Sequence, residues 1–184
     1  MRANRNELNL SKVASEVIRS VGVKPGQTVL DFGCGSGVYT IPLARTVGHQ
    51  GEVYALDKDR HALDGLMQRA GSAGLANIRR LDTAGGTQIA VASDSVDVVL
   101  LFDVFHCYYF SSMDERQDLL SEISRVLKPG GLLSVYPKHM ETEARAEIEK
   151  SGFIIQNAFS ITLVHDRTDT VEGQIINFQK QFSG

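Results

Sequence analysis

Residues 29–37 read Val-Leu-Asp-Phe-Gly-Cys-Gly-Ser-Gly, so an apolar run ends in three glycines at alternate positions. No other stretch limits the fold as strongly. Thr28 to Phe32 is short and apolar and reads as a buried strand, and Val38 to Val47 reads as a helix. A strand that enters a helix through bare backbone is the first half of a β-α-β unit, whose next strand runs parallel to the first. Glycines in that turn tolerate positive φ and let a ligand lie against the main chain. A tight turn without a ligand would use the same residue type.

The rest of the chain continues the alternation. Residues 8–21 place Leu10, Val13, Ala14, Val17, Ile18 and Val21 at spacings of three and four, an amphipathic helix, and Lys24-Pro25-Gly26 then makes a turn. Val53 to Asp57 is a second strand, and His61 to Ala73 is a helix closed by Gly74. Asn77 to Leu81 is a weaker third strand, and Val96 to Phe102 a strongly apolar fourth. Met113 to Leu127 is a helix that stops at Lys128-Pro129-Gly130-Gly131, ahead of a strand from Leu132 to Tyr136. Ala144 to Lys150 is helical. Phe153 to Val164 and Gly173 to Phe182 are β-rich with no helix between them, which makes a hairpin carrying one antiparallel strand. The alternation specifies an α/β fold: a mostly parallel seven-stranded sheet with helices on both faces. At 184 residues, 42% of them hydrophobic, residues 1–184 form a single domain, with 1–25 leading into the core.

A net charge of −3 argues against a generic nucleic-acid binder. The two cysteines, Cys34 and Cys107, are too few for a disulfide framework. Adding His106 or His139 to them makes no recognisable zinc spacing, so no metal is expected. The start, MRANRNELNLSKVASEV, lacks a leader pattern, and no apolar stretch is long enough to span a membrane. The expected compartment is the cytoplasm.

Asp57 ends the second strand 20 residues beyond Gly37. An acid there accepts hydrogen bonds from both hydroxyls of a ribose. Asp is equally a favoured cap for the helix that begins near Arg60. The loop spacing is G-x-G-x-G. A dinucleotide fingerprint would need glycine or alanine at position 38, which is Val.

VLDFGCGSG, the acidic strand end YALDKD, the late strand SVDVVLLFDVFH and the turn LKPGG follow one another in an order that resembles the class I S-adenosylmethionine-dependent methyltransferases, of the small type-11/25 kind. The likeness runs from Glu16 to Tyr136. It implies a Rossmann-like sheet whose last strand is antiparallel, and S-adenosylmethionine as cofactor. It also implies that Asp31, Gly33, Gly35 and Gly37 flank the methionine portion. Asp57 would hold the ribose, with Lys58 beside it near the adenine. Asp82 would meet the adenine amino group, although a gapless count back from Asp97 puts that position near Gly85. Phe102 would offer main chain to the methionine ammonium.

Methyl transfer from a sulfonium is an in-line displacement, so the protein mainly orients the partners. A general base is needed only when the acceptor is protonated. The loop Asp103-Val104-Phe105-His106-Cys107-Tyr108-Tyr109-Phe110 follows the fourth strand at the expected mouth of the site. There His106 would act as base and Asp103 would orient the acceptor. Tyr108 and Tyr109 would pack on substrate or sulfonium. In the alternative, the aromatics pack beneath the helix that starts near Met113 and His106 is structural. The connections are short, so the acceptor is a small molecule, or a second subunit (a homodimer) or macromolecular partner completes the pocket. Two other functions fit the same fold, a nicotinamide-dinucleotide oxidoreductase and a non-catalytic cofactor-binding module.

Overall fold

The computed structural model describes residues 5–138, 140–165 and 169–181, so His139 and Phe182 lie outside the described residues. The elements, in chain order, are α1 (Arg5–Val21), β1 (Thr28–Phe32), α2 (Thr40–Val47), β2 (Glu52–Asp57), α3 (Arg60–Ser72), β3 (Ile78–Asp82), β4 (Val96–Phe102), α4 (Met113–Val126), β5 (Leu127–Tyr136), α5 (Glu141–Lys150), β6 (Phe153–His165) and β7 (Asp169–Lys180). They form one seven-stranded sheet in the order β3-β2-β1-β4-β5-β7-β6. The first five strands pair in parallel. β7 runs against both β5 and β6.

Side chains of successive strand residues point to opposite faces. Leu30, Val99 and Leu101 therefore pack with Leu119 and Ile123 of α4 and Ile148 of α5. Their neighbours Val29, Val98 and Leu100 pack with Val17 of α1, Leu43 of α2 and Leu66 of α3. Both faces are covered, which is why β1 and β4 are continuous apolar runs. Each such Leu or Val contributes about 1.5–3 kcal/mol by leaving water. The strand order reverses between β1 and β4, and ligands of open α/β sheets bind beyond the carboxyl ends of the strands at that point.

Several boundaries differ from the sequence expectation. β5 begins at Leu127 rather than Leu132, because Leu127 already pairs with Val96. The ladder resumes at Val98 and Leu132 after a register shift, and Lys128 Nζ meets the Asp97 carboxylate at 2.8 Å beside it. α5 starts three residues earlier than expected, at Glu141, with Glu141 and Glu143 in its first turn where acids favour the helix dipole. α4 starts where expected, fixed by a capping box in which the Ser112 hydroxyl accepts from Glu115 N and the Glu115 carboxylate accepts from Ser112 N.

Candidate active site

The loop after β1 is pinned to the next strand by two amides, Gly33 N and Cys34 N, which both donate to the Leu56 carbonyl at 2.8 and 3.0 Å. Its three glycines serve two purposes. A Cβ on Gly33 would lie 2.5 Å from Cγ2 of Val104, and one on Gly37 would lie 2.2 Å from Cδ1 of Leu66. Those two positions are closed by packing. Gly35 has φ +50° and a Cβ there would meet nothing within 4 Å, so its bare side opens into a cleft.

Asp57 faces that opening. Its Oδ2 accepts from Gly35 N at 2.6 Å and its Oδ1 from Asp59 N at 2.8 Å. The α3 cap is Asp59, whose carboxylate accepts from Ala62 N at 3.0 Å. Asp57 is therefore not the cap that one sequence alternative made it. Asp31 lies behind the loop, buried, and accepts from the Thr40 hydroxyl at 2.6 Å. Burial pushes its carboxyl up to about 6, against the opposing Thr40 bond and with a smaller push from Asp57. Burial, with Asp31 and Asp57 nearby, also pushes the Cys34 thiol up, so this cysteine is not a nucleophile at neutral pH.

The cleft has a volume of about 460 Å³ and lies at the carboxyl ends of β1, β2 and β4. Gly33, Gly35, Asp57, Lys58, Phe102, Asp103 and Tyr109 all line it. Other expected site residues do not. Asp31 and Gly37 stand behind the loop, outside the lining. The Asp82 carboxylate accepts from Arg80 Nε and Nη2 at 2.8 and 2.7 Å beside the cleft, while Thr83, Gly85 and Gly86 form its wall. Tyr108 is 81% exposed. His106 is buried, accepts from Tyr108 N through Nδ1 at 3.2 Å, and packs its ring against Tyr109 at 4.7 Å. Val104 and Phe110 were not anticipated as lining residues, since nothing in an apolar residue's identity says which way a loop turns it.

The β4–α4 loop is held at both ends. Asp103 N donates to the Tyr136 carbonyl at 3.1 Å. Arg116 Nη1 donates to the Phe110 carbonyl at 2.8 Å, while its Nε and Nη2 bond the Glu147 carboxylate at 2.7 and 2.8 Å. This buried pair joins α4, α5 and the loop. Across the cleft, Lys58 Nζ sits 5.1 Å from the centre of the Tyr109 ring, a cation–π contact.

An open glycine cradle beside a carboxylate suits a ribose. An anionic pyrophosphate on the same loop would face Asp31 and Asp57 together, whereas an ammonium would be attracted by both. Among the described residues, no group of three or more His, Cys, Asp or Glu side chains could hold a metal ion, and no helix is long and apolar enough to cross a membrane.

A family model described as a methyltransferase domain matches residues 29–131. A demethylmenaquinone methyltransferase of Geobacillus kaustophilus is 31% identical over 121 residues, which are 66% of this chain and 49% of that one. The chain thus spans about half the length of the curated relatives it matches. Among solved structures, a SAM dependent methyltransferase from Aquifex aeolicus aligns at TM-score 0.72 and 20% identity, over 96% of this chain and 99% of that one. TrmN from Thermus thermophilus aligns at TM-score 0.71 and 24% identity, over 92% of this chain and 48% of that one. At these identities the structural likeness speaks for the fold alone.

Proposed function

Given that the chain belongs to the class I S-adenosylmethionine-dependent methyltransferases, we propose that it transfers the S-adenosylmethionine methyl group to a small-molecule acceptor. The observation that carries this reading is the pairing of Gly35, open on its Cβ side, with the Asp57 carboxylate hydrogen-bonded beside it in the cleft. When bound, S-adenosylmethionine supplies a methyl group on a sulfonium, already activated for displacement. Asp57 would hold the ribose hydroxyls, and the loop leaves room for the donor because Gly35 has no side chain. Asp31 would supply negative charge behind the methionine ammonium, and the Phe102 main chain would offer it a contact. The wall after β3, made by Thr83, Gly85 and Gly86, would border the adenine, and the Lys58 stem would cover it. Tyr109 closes the rim over this end.

The small size of the acceptor is supported by the relatives, which are named for demethylmenaquinone. The net charge of −3 favours a small molecule over a nucleic acid. With free Cys34 and Cys107, we assign the enzyme to the reducing cytoplasm. The test is incubation with methyl-tritiated S-adenosylmethionine and a whole-cell extract separated by size. Label should enter the small-molecule fraction. Label confined to nucleic acid or protein, or no transfer at all, would refute the proposal.

A further inference from the structure

Ser36 sits between Gly35 and Gly37, which are both left-handed, at φ +50° and +79°. A main chain with a glycine on each side has few steric walls, so hydrogen bonds must fix it. Part of the loop is fixed from within: Gly37 N donates to the Cys34 carbonyl at 2.8 Å, and Cys34 N is already bound to the Leu56 carbonyl. The Ser36 carbonyl is taken from outside, by Arg69 Nη2 of α3. Arg69 is exposed and does not line the cleft.

The course of the Arg69 side chain accounts for a glycine inside α3. Gly65 lies within this helix, where glycine is disfavoured. Side chains of a helix lean toward its N-terminus, so Arg69 runs back over the residue four places earlier, which is Gly65. A Cβ on Gly65 would lie 3.4 Å from Arg69 Nη1. That distance admits a methyl but no longer side chain in this direction, so Gly65 keeps the path of the guanidinium clear. One face of α3 thus meets the loop twice, with Leu66 against Gly37 and Arg69 on Ser36.

We propose that Arg69 is a positioning residue for the methyl donor: its grip on the Ser36 carbonyl holds the Gly35 amide against the Asp57 carboxylate, and so sets that carboxylate for the ribose. The proposal rests on the donor-site reading above and adds the residue that presets the site. Gly35 N donates to Asp57 Oδ2 at 2.6 Å, and Gly35 precedes Ser36 directly in the chain. Holding the Ser36 carbonyl therefore limits the rotations that would carry the Gly35 amide away. The other oxygen, Oδ1, is directed by Asp59 N at 2.8 Å. With both oxygens aimed by amides, the carboxylate meets the ribose without first having to be ordered, and such pre-ordering raises affinity. Without the guanidinium the Ser36 carbonyl loses its donor, and the segment between the two glycines visits orientations in which Gly35 N leaves Asp57. A lysine at position 69 keeps a donor and the charge, whereas a methionine keeps only the stem.

The test measures S-adenosylhomocysteine affinity of the full chain by calorimetry, with urea unfolding on the same preparations. Arg69→Met should weaken binding about five- to tenfold, and Arg69→Lys should stay within about threefold of the parent. The unfolding midpoint of Arg69→Met should stay near that of the parent, because the side chain is exposed. Gly65→Leu blocks the guanidinium's path with a better helix former. It should be at least as stable as the parent and yet lose as much affinity as Arg69→Met, whereas a role confined to stability would move both the same way. In an Asp57→Ala background, Arg69→Met should cost less than about twofold, since the carboxylate it positions is gone. A folded Arg69→Met that binds like the parent, an Arg69→Lys as weak as Arg69→Met, or losses that multiply fully in the double variant would overturn the proposal alone. Failure of the parent to bind S-adenosylhomocysteine would overturn the donor-site reading and this proposal with it.

Discussion

Replacing the loop glycines one at a time separates ligand contact from packing. In Gly37→Ala the new methyl would lie 2.2 Å from Leu66 Cδ1 and 3.1 Å from both Cδ2 and Cγ. Leu66 is fully buried in the layer shared with α1 and α2, so it has little room to yield. Overpacking of this kind costs about 1–3 kcal/mol, and the left-handed φ adds roughly 1–2 kcal/mol for any side chain. In Gly35→Ala only the second penalty applies, because nothing lies within 4 Å of the new methyl. For a domain of this size, Gly37→Ala should lower Tm by roughly 4–20 °C and Gly35→Ala by roughly 2–8 °C. Affinity for S-adenosylhomocysteine should follow the opposite order. Gly35→Ala should weaken it about tenfold or more and Gly35→Val should abolish it, while folded Gly37→Ala binds nearly as the parent does. Leu66→Ala added to Gly37→Ala should destabilise by less than the sum of the two, since the methyl then fills the space left by Leu66. Urea unfolding and calorimetry on the same preparations decide the matter. A Gly35→Ala protein that binds like the parent, or a Gly37→Ala protein as stable as the parent, would refute the assignment of these roles.

Asp57→Ala removes charge-assisted hydrogen bonds and should weaken cofactor binding by about 1.5–3 kcal/mol, roughly ten- to a hundredfold in Kd; unchanged affinity in a folded variant would restrict Asp57 to bracing the loop. Asp31 holds its proton more tightly folded, at about 6, than at the ordinary 3.8. Its contribution to stability is therefore full below 3.8 and lost as pH rises through about 6, on the order of 3 kcal/mol in all. Asp31→Asn should remove that slope from urea unfolding measured across the window, and an unchanged slope would place the proton elsewhere. Arg116→Met leaves Glu147 buried without its partner and should cost about 3–5 kcal/mol in urea unfolding, much of it regained in the double variant with Glu147→Leu; a loss of under about 1 kcal/mol would show the pair to be idle.

Much of the fold was legible because β1 and β4 are buried on both faces and admit few polar residues. Thr28–Phe32 and Val96–Phe102 were read to the residue. The C-terminal hairpin was legible from the missing helix between its strands. The start of β5 was not, because Lys128-Pro129-Gly130-Gly131 has the composition of a free turn, and only the pairing of Leu127 with Val96 brings it into the ladder. In the site, Gly35 and Asp57 followed from local spacing. Gly33 and Gly37 look identical to Gly35 in sequence, yet their roles are set by Val104 and Leu66, which are distant along the chain. Arg69 carries no local signal either. It reaches Ser36 only because α3 packs against the loop after β1.

The most direct test of the methyl-donor site is a calorimetric titration of the full chain with S-adenosylhomocysteine and, separately, with NAD, repeated on Gly35→Val. S-adenosylhomocysteine should bind the parent at one site per chain, NAD should give no binding heat, and Gly35→Val should bind neither while keeping its folded spectrum. Binding of NAD in place of S-adenosylhomocysteine, or binding of S-adenosylhomocysteine that survives Gly35→Val unchanged, would contradict the donor site built on Gly35 and Asp57.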